Sequence, residues 1–150
     1  MKKGELSSKR DTNNKVLAII YSDKNRFLLL RTNPKTMKID SWYVVTGGVK
    51  ETESFEGAVR REVEEETKLQ ILDIKPLELS WDYEWPKGSG KVKHEKGFLV
   101  KVKHAEPKIT AYEHLEYKWL GKEDFIDQIY WYDQNKDNLK KILTKLPKLK

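Results

Sequence analysis

Residues Gly47 to Leu69, GGVKETESFEGAVRREVEEETKL, constrain this chain more than any other stretch. They read as a glycine turn, a short loop and one acidic helix of about four turns. Ser54 is placed to cap the helix and Glu56 falls in its first turn, where an oxygen acceptor and a negative charge suit the free N–H groups. A surface helix keeps its carboxylates away from its apolar residues. This one mixes them. With successive residues about 100° apart, Phe55, Ala58, Val59, Val63 and Leu69 define one arc. Glu62 and Glu66 fall inside that arc, Glu65 lies at its edge beside Ala58, and Arg60, Glu64 and Thr67 take the solvent side. Carboxylates at i, i+3 and i+4 on a packing face repel one another and are costly to desolvate unpaired. A bound divalent cation resolves the conflict, because hard cations such as magnesium take carboxylate oxygens. The competing reading is a charged helix whose apolar residues merely spread widely, in a chain whose residues are 36% charged.

At 150 residues the chain is long enough to bury a core within one domain. We expect a lead-in over residues 1–14 and a single domain over 15–150. No apolar run is long enough to span a bilayer. The first fourteen residues, MKKGELSSKRDTNN, lack the apolar segment of a secretory signal. Cysteine is absent, which excludes disulfides, thiolate catalysis and cysteine metal sites. A soluble cytoplasmic protein is the expectation. The formal charge of +6 contrasts with the acidic helix and suits a polyanionic substrate such as a nucleotide or RNA, although excess charge also serves solubility.

Along the chain, KVLAIIY (15–21) and RFLLLR (26–31) are strand-like runs separated by the turn-forming Ser22-Asp23-Lys24-Asn25, which predicts a hairpin. Residues 32–40 read as a loop. Residues 41–45 form a short aromatic strand delivering the chain into Thr46-Gly47-Gly48, where glycine permits positive φ or close backbone approach to a ligand. Residues 70–85 carry a strand or two, interrupted by Pro76. Lys87 to Gly90 is a turn. Residues 91–103 alternate Phe98, Val100 and Val102, the pattern of a strand with one buried face. Residues 112–120 are extended and 122–129 form a short helix. Leu139, Ile142, Leu143 and Leu146 make an amphipathic helix over 134–146, whose lysine-rich outer face leaves docking on the core as the main reading and RNA or membrane contact as the other. The order gives an α/β (α+β) domain.

The spacing of Gly47, Glu53, Arg61, Glu62, Val63, Glu65, Glu66 and Leu69 resembles the Nudix box, G-x5-E-x7-R-E-U-x-E-E-x-G-U with U aliphatic. Lys68 stands where the family has glycine. A left-handed lysine closing the helix costs roughly 1–2 kcal/mol, but the position does not touch the acidic cluster. The resemblance implies the MutT-like Nudix fold, a mixed sheet between helices, over nearly the whole chain. It implies hydrolysis of a phosphoanhydride bond with Mg2+, or Mn2+ as a substitute, held by Glu62, Glu65 and Glu66. A backbone carbonyl near Thr46 or Gly47 would assist. Arg61 would brace the carboxylates, and Glu53 would orient them. Many members use a further glutamate outside the box as ligand or general base. Glu95, leading into a strand, is the candidate for both roles. The competing reading makes it one more exposed charge, and its strand parity with Leu99 leaves its direction open.

The segment Trp42 to Gly48, with W-x-x-V-T-G-G in place of a proline-containing version, is similar to dihydroneopterin triphosphate and dATP pyrophosphohydrolases. So is Glu113-His114-Leu115-Glu116-Tyr117-Lys118-Trp119-Leu120, although such an element also occurs in dinucleoside polyphosphate hydrolases. His114 reads as structural. Trp42, Tyr43, Trp81, Tyr83 and Trp85 are candidates for stacking on a flat ring, with Gly47 and Gly48 beside the phosphates. Most of these aromatics belong to the core on ordinary grounds. The implied reaction releases pyrophosphate and a monophosphate from a nucleoside or pterin triphosphate. A dinucleoside polyphosphate hydrolase, an RNA 5′ pyrophosphohydrolase and a binding module without turnover remain open, as do monomer and homodimer.

Overall fold

The run Val16 to Tyr21 contains no polar residue to break its apolar character. A strand of that kind has to be covered on both faces. In the computed structural model, which describes residues 11–37, 40–131 and 136–145, it is covered by helices on each side. Strand β1 (Asp11–Ser22) begins ahead of the expected Lys15, so residues 11–14 join the sheet; residues 1–10 lie outside the described residues. The chain turns at Ser22–Asn25 into β2 (Phe27–Thr32), as the sequence predicts. The Asn25 N–H donates to the Ser22 carbonyl at 2.8 Å, and Asn25 takes the left-handed conformation that asparagine tolerates.

After a single helical turn (Pro34–Met37) come β3 (Trp42–Tyr43), β4 (Val45–Lys50) and helix α1 (Phe55–Thr67). Strands β5 (Ile71–Glu84), β6 (Val92–Val102) and β7 (His114–Leu120) follow, then helices α2 (Lys122–Gln128) and α3 (Asp137–Lys145). The described strands form one seven-stranded mixed sheet in the order β3-β2-β1-β6-β5, with β4 added to β1 and β7 to β2. β1 runs parallel to β6, with Ala18 opposite Phe98, and antiparallel to β4, with Val16 opposite Gly47. Gly47 and Gly48 therefore lie within a paired strand, where the sequence suggested a turn. β5 is one strand, with its register shifted between Pro76 and Ser80 in place of a break.

On one face Ala58, Val59 and Val63 of α1 pack on Val16, Ala18, Ile20, Leu28, Leu30, Phe98 and Val100. On the other, Phe125, Ile126, Leu139 and Leu143 of the C-terminal helices pack on Leu17, Ile19, Leu29 and Leu99. β6 thus has two buried faces through Phe98–Val100, because the C-terminal helices cover the side that alternation alone assigned to solvent. Of the expected terminal apolar stripe, Leu139 and Leu143 are buried and Ile142 packs beside them; Leu146 lies outside the described residues. Among the described residues no helix is long and apolar enough to cross a membrane. The result is a mixed sheet between helices, with α1 on one side and α2 and α3 on the other.

Candidate active site

Helix α1 starts where Ser54 holds extended backbone and its Oγ accepts from the Gly57 N–H at 3.0 Å. It ends at Lys68, which adopts the left-handed conformation (φ 61°) and donates its N–H to the Glu64 carbonyl at 3.1 Å. The lysine in place of the family's glycine is accommodated by strain. Thr67, expected on the solvent side, is fully buried: its hydroxyl donates to the Val63 carbonyl at 2.7 Å and accepts from the Leu69 N–H at 3.1 Å. That pairing makes a hydroxyl acceptable inside the core.

Arg61 organises the acidic face. Its Nε and Nη2 donate to the two carboxylate oxygens of Glu53 at 2.6 and 2.9 Å, and Nη1 donates to Glu62 at 2.9 Å. Nη2 also donates to the Gly48 carbonyl at 2.9 Å, tying the helix to β4. Glu53 in turn accepts the Lys50 N–H at 3.0 Å, which closes the loop before the helix. Hydrogen bonds from Arg61 hold the Glu53 carboxyl below the ordinary carboxylate range. Contact from Arg61 to Glu65 is longer, 3.5 Å, and the Glu65 side chain is 57% exposed. The expected bracing of the carboxylates is made chiefly to Glu53 and Glu62.

Glu62 and Glu66 turn inward, towards β4 and β7. A Cβ at Gly47 would collide with the Glu62 carboxylate, so glycine is required there for close approach and not for positive φ. Glu66, with 10% of its side chain exposed, is pushed well above the carboxylate range by burial first, then by the neighbouring carboxylates Glu62, Glu113 and Glu65. Burial, Glu62 and Glu65 raise Glu113 in the same way. Glu113 reaches the cluster from the turn before β7. That turn is fixed by Glu113 N–H to the Thr110 carbonyl (3.1 Å) and by Asn33 N–H to the Glu113 carbonyl (2.9 Å). His114 follows it, buried, with Nε2 3.8 Å from a Glu66 oxygen. Burial lowers the His114 pKa, so the imidazole is neutral, and its Nδ1 is a buried polar atom with no partner. Glu62, Glu66, Glu113, His114, Thr46 and Gly47 line one recess of about 210 Å³, closed by Thr32, Tyr43 and Val44.

Glu95 stands apart from this cluster. It lies on β6 with the parity of Leu99, opposite Trp81 of β5 and Lys15 of β1, on the sheet face away from α1. It is 7% exposed, not one more solvated charge. Trp81 packs against the same second core cluster, so neither residue is brought to Glu62 and Glu66. Trp42 is half-buried with the Lys118 ammonium 4.1 Å from its ring centre, whereas Tyr43 borders the recess directly.

The NUDIX domain model matches residues 11–143. This chain belongs to the Nudix family. A search of curated protein sequences found no relative. The fold is similar to an Escherichia coli dihydroneopterin triphosphate pyrophosphohydrolase (TM-score 0.69, 22% identity, covering 91% of this chain and 99% of that one). It is also similar to a MutT protein from Methanosarcina mazei (0.63, 26%, 89% and 95%) and to a Caenorhabditis elegans Ap4A hydrolase (0.64, 23%, 89% and 98%).

The protein is a Nudix hydrolase, acting on phosphoanhydride bonds. Nudix hydrolases generally use a divalent metal, and the donor set fits a hard cation. Glu66, Glu113 and His114 each place a ligand atom within 4.8 Å of the others, and Glu62 adjoins Glu66. A carboxyl held protonated by its neighbours is the signature of a site short of positive charge. Glu113 escaped selection as a ligand, although it sits in the quoted Glu113–Leu120 segment. Its approach to Glu66 depends on how β7 seats against β2, which no local pattern encodes.

Proposed function

We propose that the protein is a magnesium-dependent pyrophosphohydrolase that cleaves a nucleoside or pterin triphosphate to a monophosphate and pyrophosphate. The observation that carries this reading is the convergence of Glu62, Glu66 and Glu113 on one recess, where burial and the neighbouring carboxylates raise Glu66 above the carboxylate range. Glu62, Glu65, Glu66 and Glu113 would hold Mg2+, or Mn2+ in its place, with the Thr46 or Gly47 backbone beside them. When bound, the cation neutralises phosphate oxygens and favours the nucleophilic form of water.

The chain's own residues supply the rest. Arg61 holds Glu53 and Glu62 by charge-assisted hydrogen bonds, so the carboxylates are oriented before substrate arrives. Glu66 and Glu113 line the recess and are placed to accept the proton of the attacking water. Oxygen then bonds to phosphorus, the anhydride bond breaks and pyrophosphate leaves. Tyr43 and Val44 wall off one side of the recess and limit access of bulk water. Glu65, more exposed, would complete the carboxylate set that holds the cation. The excess positive charge of the chain favours a polyanionic substrate.

Mass-spectrometric product analysis with magnesium tests the reading. The panel comprises nucleoside triphosphates, dihydroneopterin triphosphate, diadenosine tetraphosphate and 5′-triphosphorylated RNA. A monophosphate with pyrophosphate from a nucleotide or the pterin is the expected result. Cleavage confined to the dinucleotide or the RNA would replace the substrate assignment, and cleavage of none would overturn it.

A further inference from the structure

The outer end of the β5–β6 hairpin takes no part in the hydrolytic chemistry. Its ladder continues past the strand ends, where the Trp85 N–H donates to the Lys91 carbonyl at 3.0 Å. Tyr83 lies opposite Lys93 and Glu84 opposite Val92. Strand alternation therefore puts Trp81, Tyr83 and Trp85 on one face, across from Glu95, Lys93 and Lys91. Asp82 and Glu84 fall on the other face, where both are engaged: Asp82 Oδ1 lies 2.8 Å from His94 Nδ1, and Glu84 Oε2 accepts the Gly90 N–H at 2.6 Å. Cover falls away along the aromatic face. Trp81 packs on the core, edge-on to Trp131 at 5.9 Å, and Tyr83 is half-buried. Trp85 is 61% exposed, the one exposed tryptophan of five. Lys91 beside it is exposed and makes no ion pair among the described residues, and Lys93 reaches the Asn13 side chain at 3.3 Å. The turn between them is fixed: the Ser89 N–H donates to the Pro86 carbonyl and the Lys91 N–H to Ser89 Oγ, each at 3.0 Å.

An indole exposed beside ammonium groups, with the acids turned to the opposite face, offers stacking and positive charge together. Every base has a π-face and every nucleotide carries a phosphate, so a single strand of nucleic acid meets both demands at once. A duplex buries its base faces in the stack and would meet only the charge. The net charge of +6 points to a polyanion as well. We propose that the Trp85–Lys91 face of the β5–β6 hairpin is a docking site for single-stranded nucleic acid, with Trp85 stacking on a base and Lys91 and Lys93 meeting neighbouring phosphates. This face lies on the side of the sheet away from α1, so the site is separate from the acidic recess and independent of the hydrolase reading.

The test is fluorescence anisotropy with dye-labelled oligouridylate and oligothymidylate about 12 nucleotides long. Both carry 5′-hydroxyl ends and are titrated in EDTA, so there is no terminal anhydride to cut and no metal in the recess. Failure here leaves the hydrolase reading standing, and absence of turnover elsewhere leaves this one standing. Saturable binding is expected, and the tighter of the two strands names the kind of nucleic acid. Affinity should fall by about 7–20-fold between about 50 and 200 mM KCl, as contact with two or three phosphates requires. Trp85→Ala should weaken binding by about 5–100-fold, and Trp85→Phe, which keeps a ring, should restore most of it. Lys91→Ala should make the salt dependence shallower by about 0.7 in log–log slope. No saturable binding of either strand, affinity unchanged in Trp85→Ala, or equal affinity for the same strand annealed to its complement would overturn the proposal. Phosphatidylserine vesicles are titrated alongside. Trp85-dependent binding to the vesicles with none to the oligonucleotides would assign the face to a lipid surface and overturn it too.

Discussion

Arg61 engages Glu53 through two nitrogens, Glu62 through one and the Gly48 carbonyl through another, a geometry only a guanidinium can satisfy. Arg61→Lys keeps the charge and loses the fork. It should lower kcat/KM by about 10–100-fold, the usual effect of releasing groups that orient a metal site, as read by steady-state kinetics at saturating magnesium. Gly47→Ala should be more damaging than its size indicates, because the added methyl displaces the Glu62 carboxylate; weaker magnesium affinity in a titration is the expected readout. The inward turn of Glu62 and Glu66 was legible because helical spacing puts them on the packing face, whereas the roles assigned to the box came from the family resemblance. The distribution of Arg61 contacts was less so, since the fork closes on Glu53 from the preceding loop and Glu65 is reached only at 3.5 Å. From sequence Glu95 was the candidate outside the box and Glu113 was passed over. Glu113 acts where a β7 turn happens to meet α1, and Glu95 sits on a strand buried on both faces, where parity does not say which face holds the helix.

Helix α1 is bounded by two local devices that can be tested apart from chemistry. Lys68→Gly should relieve the left-handed strain at the C-cap and stabilise the protein by about 1 kcal/mol, seen as a rise of about 2–4 °C in melting temperature. Activity should be unchanged. Ser54→Ala should cost about 1 kcal/mol through the lost cap. Elements with local signals were the readable ones: the hairpin at Ser22–Asn25, the Ser54 cap and the amphipathic terminal helix. Boundaries and faces set by tertiary cover were not. Thr67 looked solvent-facing by helical angle but is enclosed by the chain leading into β5, and its hydroxyl is satisfied within its own last turn. The Gly47-Gly48 pair looked like a turn but is held in β4 by pairing with β1.

At the scale of the whole molecule, the acidic recess sets how stability responds to pH and metal. Glu66 has a folded pKa above its ordinary 4.5, so above that pH the folded protein holds more protons than the unfolded chain and stability falls as pH rises. His114 has the opposite influence only below its ordinary 6.5, where the unfolded chain takes up the proton that the buried ring refuses. Between pH 6.5 and 8.5 the slope therefore comes from the carboxyls. Metal-free protein should lose up to about 2–3 kcal/mol across that window, measured by denaturant titration at each pH. Saturating magnesium should abolish most of the loss, because binding to the folded state alone stabilises it and displaces the proton. The layered α/β architecture that frames this recess was legible in strand and helix order. The partition of aromatics between core and ligand was not, because Trp42, Tyr43 and Trp81 carry the same local signal. The central claim, that the carboxylates of α1 run magnesium-dependent hydrolysis, is tested most directly by pyrophosphate release from the preferred triphosphate by wild type and Glu66→Gln, with folding of both verified by circular dichroism. The account predicts a loss of about 10²–10⁴-fold in kcat for the folded variant. Near-normal turnover by folded Glu66→Gln would contradict it.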